Sequence, residues 1–276
     1  MSLAGSLAAR AGRRYSAGPE LSDALAVARR VADKGAGVTL CYWDRGGEDP
    51  AEVANAYVAA AEAVAAEGLE ARVAIKAPAL DFDRALLERA AAAARAAGAP
   101  LHFDSLAPDT ADPTLELAGT LDQARGITLP GRWERSVGDA GGAESMGAGV
   151  RVVKGQWPGD PDVDLRGGFL SVIDSLAGRV PYVAVATHDA ALVRQALERL
   201  RESGSATELE LLFGLPPDRA AAEAHRAGVP IRIYIPYGHG WLPYATRQAL
   251  KHPMTLVWFA RDLFSPPAIE RLVEAL

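Results

Sequence analysis

Residues 182–200 read Tyr182-Val-Ala-Val-Ala-Thr-His-Asp-Ala-Ala-Leu-Val-Arg-Gln-Ala-Leu-Glu-Arg-Leu200. The first five form a short β-like run, and Asp189 stands where a helix over Ala190–Leu200 needs its cap. That is one strand–helix unit, and the rest of the chain repeats its rhythm. Further β-like runs lie at Val38–Tyr42, Arg72–Lys76, Leu101–Asp104, Ile127–Leu129, Val150–Lys154, Glu208–Phe213 and Ile231–Ile235. Their spacing is roughly 30 residues, the size of a βα unit. Between them, Leu21–Ala32 puts Leu21, Ala24, Leu25, Val27, Ala28 and Val31 on one broad face, and Val53–Ala66 and Leu86–Ala97 are rich in strong helix formers. Ser22 with Asp23, and Asp81 ahead of Arg84–Leu87, read as further caps. Eight such units without a break predict a closed parallel (β/α)8 barrel of TIM type, in one domain spanning 1–276. An open dinucleotide sheet is disfavoured, because Tyr42-Trp43-Asp44-Arg45-Gly46-Gly47 lacks the G-x-G-x-x-G loop.

Composition agrees with a folded enzyme-sized domain. The 276 residues are 49% hydrophobic and 23% charged, so a large core is available. A net charge of -6 argues against a nucleic-acid partner. No apolar stretch reaches the ~20 residues of a membrane span, and the single cysteine, Cys41, excludes a disulfide framework. Residues 1–20 read as a helical lead-in, and the cytoplasm is the default location. Two segments interrupt the rhythm: Gly138–Gly149 reads as a flexible connector, and Trp157–Arg166, on the face where barrel enzymes do chemistry, reads as a lid.

At the carboxyl ends of the predicted strands stand Lys76, Asp104, Arg151 with Lys154, Thr187-His188-Asp189, and Tyr234 with Tyr237. Several cations with few acids suit an anionic group such as a phosphate or carboxylate. His102, Asp104 and His188 make only a thin metal-ligand set, so no metal is expected. Pro243 fits the first turn of a helix on which Tyr244, Arg247 and Lys251 follow at i, i+3 and i+7. On spacing alone that face is either a ligand clamp or a solvated basic face.

The ordered set Arg151-Val-Val-Lys-Gly155, Ala186-Thr-His-Asp189, Leu209-Glu-Leu-Leu-Phe-Gly214 and Arg232-Ile-Tyr-Ile-Pro-Tyr-Gly238, running into Tyr244-x-x-Arg247, resembles the monofunctional FAD-dependent proline dehydrogenases. Weaker matches are Arg14-Tyr-Ser-Ala-Gly18, Ala74-Ile-Lys76 and Phe103-Asp104. The resemblance implies a distorted barrel whose last helix lies over the strand ends, with noncovalent FAD in the mouth. It implies oxidation of a cyclic secondary amine by hydride transfer to the flavin. By that carry-over, Arg151 sits at the flavin's reactive nitrogen, and Thr187 and His188 lie on the phosphate and adenine side. Val153, Lys154, Gly155, Ser105 and Pro130 complete the cofactor's surroundings. Lys76 and Asp104 line the substrate end, Tyr234 packs on the substrate ring, and Tyr244, Arg247, Gln248 and Lys251 form its clamp. The electron acceptor would be a quinone or oxygen, and an oligomer is compatible with the chain.

The departures point to the substrate. The family's two adjacent arginines are here Arg247-Gln248, and the bracing glutamate is Lys251. Pro130 aligns with a flavin-facing glutamine, and Gln156-Trp157 replaces a small residue and a tyrosine. Losing one arm of the clamp removes a charge-assisted bond worth ~1.5–3 kcal/mol, and lysine does not reproduce bidentate geometry. The reading that follows is a proline-dehydrogenase-like flavoenzyme with specificity shifted from free proline. The alternatives are proline dehydrogenase proper, giving 1-pyrroline-5-carboxylate, and a non-catalytic barrel that has lost FAD and acts as a binding or structural subunit.

Overall fold

The structure, a computed structural model, describes residues 16–122, 125–155, 159–240 and 268–276. Eight parallel strands close on themselves in sequence order: β1 (Gly37–Trp43), β2 (Ala71–Ile75), β3 (Leu101–Phe103), β4 (Arg125–Pro130), β5 (Gly149–Val153), β6 (Tyr182–Ala186), β7 (Ala206–Leu212) and β8 (Ile231–Gly238). The seam between β1 and β8 is the longest register, Gly37 to Trp43 against Arg232 to Gly238. The predicted (β/α)8 barrel is therefore the observed one.

The helices are α1 (Leu21–Ala32), α2 (Pro50–Glu67), α3 (Arg84–Ala96), α4 (Ala111–Gly119), α5 (Ser136–Ser145), α6 (Leu165–Leu176), α7 (Ala190–Ser203), α8 (Asp218–Ala227) and α9 (Ala268–Ala275). Helix α1 has the predicted bounds and buries Ala24, Leu25, Val27, Ala28 and Val31, the face its periodicity marks. Helix α7 starts as expected, with the Asp189 carboxylate accepting from the Ala191 and Leu192 amides. The last described helix, α9, lies on the outside. Arg30 of α1 pairs with Glu270 at 3.0 Å, and His225 of α8 bonds the Ala275 carbonyl at 3.0 Å. The stretch carrying Tyr244, Arg247, Gln248 and Lys251 lies outside the described residues, as do Gln156-Trp157 and most of the lead-in.

Three local expectations are corrected. Asp83, not Asp81, caps α3, accepting from the Ala85 and Leu86 amides. Asp81 instead ends a 3-10 turn over Ala77–Leu80 in the left-handed region (φ 51), a conformation Asp tolerates better than most residues. Helix α1 begins one residue before Ser22, so Glu20 is its cap residue and the Asp23 carboxylate reaches back to the Glu20 amide at 3.0 Å. Most of the segment from Gly138, read as a loop, belongs to α5. Ala140 and Ala143 are buried there, while Gly141 and Gly142 face open space. Packing of the alanine face outweighs a helix cost of ~1 kcal/mol per glycine.

Outward strand residues (Val38, Leu40, Val73, Ile75, Ile127, Leu129, Val150, Val152, Val183, Val185, Leu209, Leu211, Ile233, Ile235) are buried in the apolar layer under the helices. The alternate residues point into the barrel, because side chains from non-neighbouring strands meet there. Thr39 of β1 bonds Glu210 of β7, and Tyr234 of β8 bonds Asp104 at the end of β3. The barrel interior is thus largely polar, in two layers. The lower holds Arg72, Glu208 and Arg232: Arg72 and Arg232 both pair with Glu208, and the Arg72 guanidinium sits 4.1 Å from the Tyr182 ring centre. Glycines make room for it. A Cβ on Gly149 would overlap the Tyr182 ring, one on Gly126 the His102 ring, and one on Gly37 would lie 2.8 Å from the Arg232 guanidinium.

Candidate active site

The upper layer is centred on Arg151 of β5, whose side chain is 3% exposed. All three of its guanidinium nitrogens are engaged. Nε donates to Glu210 Oε2 at 2.8 Å, Nη2 to Glu210 Oε1 at 2.8 Å, and Nη1 to Asp104 Oδ1 at 2.7 Å. Nη1 also lies 3.4 Å from Thr128 Oγ1. The fork-to-fork match with Glu210 is the geometry that gives arginine–carboxylate pairs their direction. Thr39 Oγ1 donates to Glu210 Oε1 at 2.8 Å and fixes that carboxylate from the far side. Burial alone would push the Glu210 carboxyl up, but the Arg151 guanidinium outweighs it and holds the group below the ordinary range. Burial likewise opposes the charge on Arg151, and the Glu210 and Asp104 carboxylates more than restore it.

The Asp104 side chain is 12% exposed. Its second oxygen accepts from Tyr234 OH at 2.6 Å, and the Cys41 thiol lies 3.7 Å from the same atom. The Arg151 guanidinium carbon is 4.9 Å from the Tyr234 ring centre. Burial and the Asp104 carboxylate raise the Tyr234 hydroxyl well above its ordinary value, so it stays a donor at neutral pH. Burial also pushes the Cys41 thiol up to about 12, which makes it an inert filler here. One layer below, His102 Nε2 is 3.1 Å from Thr128 Oγ1 and Nδ1 is 3.3 Å from Tyr182 OH. Burial, then Arg151 and the other arginines, push its imidazole well below the ordinary value, so His102 is neutral.

Lys76 stands on the rim at the end of β2 and is anchored there. Its Nζ donates to the Tyr42 carbonyl at 2.8 Å and to Asp44 Oδ1 at 3.1 Å. A cavity of ≈ 350 Å³ opens beside it, bounded also by Asp44, Glu48, Pro78, Asp81 and Leu106.

The β5–β6 side of the mouth has a different character. Lys154 Nζ and Arg166 lie 3.2 and 3.9 Å from Asp189 Oδ2, two cations on one carboxylate that also caps α7. Gly155 holds φ +94, and a Cβ on it would come 2.6 Å from the Arg132 side chain. Thr187 is buried and accepts from the Asp189 amide at 3.2 Å. His188 bridges the ends of two strands, Nδ1 to the Pro216 carbonyl at 3.0 Å and Nε2 from the Leu212 amide at 3.0 Å. Both its ring nitrogens are therefore committed to backbone, and burial lowers its pKa. Ser105 donates to the Thr128 carbonyl, and the carbonyl of Pro130 takes Ser136 Oγ at 2.7 Å. Val153 pairs with Pro130 and Ala186, and its carbonyl accepts from the Gly131 amide at 2.8 Å. Among the described residues, no group of three or more His, Cys, Asp or Glu side chains could hold a metal ion.

Of the residues singled out from sequence, Arg151, Asp104 and Tyr234 meet in one bonded cluster. Lys76 and the Lys154–Thr187–His188 set occupy different sectors of the rim. Sequence reading missed Glu210, Thr39 and Thr128. Glu208-Leu-Glu210, carboxylates alternating with an outward leucine, was the available signal for interior acids on β7.

No family model matches the chain. It is 24% identical to proline dehydrogenase 1 of Bacillus subtilis subsp. natto, over 91% of this chain and 90% of that protein. It is 26% identical to the proline dehydrogenase of Deinococcus radiodurans, over 91% of this chain and 89% of that one. Among solved structures, proline utilization A (PutA) from Bdellovibrio bacteriovorus superposes with a TM-score of 0.75 at 15% identity over 87% of this chain. PutA from Bradyrhizobium japonicum superposes with a TM-score of 0.65 at 19% identity over 78% of this chain. The chain spans only 32% and 28% of those two longer proteins. No described helix is long and apolar enough to cross a membrane. With its barrel and an alignment carried along nine-tenths of its length, the chain is similar to the monofunctional proline dehydrogenases.

Proposed function

We propose that this protein is an FAD-dependent dehydrogenase that oxidises a proline-like cyclic or secondary amine to the imine, with specificity shifted from free proline. The observation that carries the reading is the Arg151–Asp104–Tyr234 cluster under the mouth, in a relative of proline dehydrogenases. A barrel that only packs gains nothing from ionised Arg151, Asp104 and Glu210 in its interior, where each charge is costly unless paired.

The residues present fit FAD. Lys154 and Arg166, on the rim near β5 and β6, share the carboxylate of Asp189, and two adjacent cations suit a pyrophosphate. Lys154, Gly155, Val153, Thr187 and the faces of His188 would line that arm, with Arg151, Ser105 and Pro130 around the ring system. Bound FAD supplies the redox chemistry, taking up the hydride lost from the carbon next to the amine nitrogen. The protein's part is orientation. Asp104 offers a fixed carboxylate at the mouth, and Tyr234 donates to it while its ring walls the substrate side. Lys76, held by Asp44, adds a cation at the substrate end. Arg151 is a donor whose direction is set before substrate arrives. Tyr244, Arg247 and Lys251, outside the described residues, would hold the substrate carboxylate, and Gln248 would leave that clamp one arm short of the family's arginine pair. The electrons would pass on to a quinone or to oxygen.

The test is the absorbance spectrum of FAD-reconstituted protein before and after anaerobic addition of L-proline, then of N-substituted, ring-substituted and esterified prolines. Bleaching by a derivative at far lower concentration than by proline is the expected result. Efficient bleaching by free L-proline would make it a proline dehydrogenase proper. Protein that takes up no FAD would refute the flavoenzyme reading.

A further inference from the structure

We propose that Glu210 is the positioning residue of Arg151, and that its carboxylate cancels the arginine's charge so that Arg151 meets the cofactor as a directed hydrogen-bond donor rather than as a net cation. The inference rests on the reading of the mouth as a flavin site. It starts from a count of charge. Arg151 contributes one positive charge, and Glu210 and Asp104, both in contact with its guanidinium, contribute two negative charges. The Glu210 side chain is 1% exposed, so water does not screen it. The lower-layer arginines are matched in turn: Arg72 and Arg232 both pair with Glu208, and Arg232 also reaches Glu70. The rim cation Lys76 is matched by Asp44.

The geometry gives Glu210 the positioning part. It takes Nε and one Nη through both of its oxygens, which fixes the guanidinium plane, and Thr39 holds one of those oxygens in place. The third nitrogen, Nη1, is held by Asp104 and Thr128. The plane of Arg151 is therefore fixed before any ligand binds.

Sulfite reports this directly. Its sulfur lone pair adds to the flavin's reactive nitrogen with no leaving group, placing a negative charge on the ring, so its affinity rises with net positive charge nearby. In E210Q the amide keeps the size, and its one oxygen still accepts from Arg151 Nη2 and Thr39, but its NH2 cannot accept from Nε and the cancelling charge is gone. Sulfite binding to the FAD-loaded variant should tighten about tenfold, the size expected for a unit charge acting over ~10 Å through a buried medium. E210D keeps the charge but draws it back by one methylene, so its affinity should fall between wild type and E210Q. Equal or weaker sulfite binding in E210Q overturns the inference and leaves the flavoenzyme reading intact. If E210Q does not fold, E210D at wild-type affinity does the same, and failure of both variants to fold assigns Glu210 to the fold alone. Wild-type protein that binds no FAD overturns the reading and the inference together.

Discussion

Replacing Arg151 by methionine strands Glu210. The arginine makes three charge-assisted bonds of 2.7–2.8 Å, two of them to a carboxylate that is 1% exposed. In that variant, Glu210 is left with the Thr39 hydroxyl at 2.8 Å. Removing one partner of a buried pair costs about 3–5 kcal/mol, because the remaining charge is left without compensation. For a domain of this size that is a fall in Tm of roughly 6–20 °C. The cost depends on pH, and its sign follows from linkage. In the wild type the Glu210 carboxyl lies below its ordinary value of 4.5, so its stabilisation is present above that pH and is lost on acidification. Without the Arg151 guanidinium, burial, the largest cause, is opposed only by the weaker pull of Arg72 and Arg232, so the folded-state carboxyl rises and protonation costs the folded form less. The R151M deficit should therefore be largest near pH 8 and shrink toward pH 5. The assay is thermal and urea unfolding of wild type, R151M and R151M/E210M at both pH values. The double variant, with both charges replaced by apolar groups, should recover most of the loss. An R151M Tm within about 2 °C of wild type at pH 8, or a deficit that does not shrink on acidification, would refute the reasoning.

Three further outcomes are expected. G149A would drive a methyl into the rigid Tyr182 ring, so it should lose at least ~3 kcal/mol in urea unfolding, whereas G141A, which meets nothing, should be neutral or slightly stabilising. His102 and His188 are both held below the ordinary histidine value of 6.5, so the unfolded chain binds their protons first and stability should drop as pH falls below about 6.5. Urea midpoints for H102Q between pH 7.5 and 5 should show a shallower drop than the wild type. Y234F removes the 2.6 Å bond to Asp104 but keeps the ring beside Arg151. At ~1.5–3 kcal/mol for a bond to a charged group, it should cost about tenfold or more in kcat/KM with little change in Tm.

Sequence alone was enough for the barrel and for its strand positions. Most strands are short runs of β-branched or other apolar residues, most of the helices show their buried face in the spacing of their alanines and leucines, and the repeat of about 30 residues leaves few other closures. It also marked Arg151, Asp104 and Tyr234, because polar residues at the ends of apolar strands stand out against their neighbours. Local rules failed where packing overruled them. The glycines of Ser136–Ser145 argue for a loop, yet Ala140 and Ala143 find a surface to bury against and the helix forms. Sequence could not show which charges meet. Thr39, Asp104, Arg151, Glu210 and Tyr234 come from five different strand regions and touch only because closure of the barrel turns them inward to one level. A residue's type and alternation are local properties, but its partner across the barrel is set by register and closure. That is why an arginine legible in the sequence as a cation becomes, in the tertiary structure, one member of a cluster whose net charge is negative.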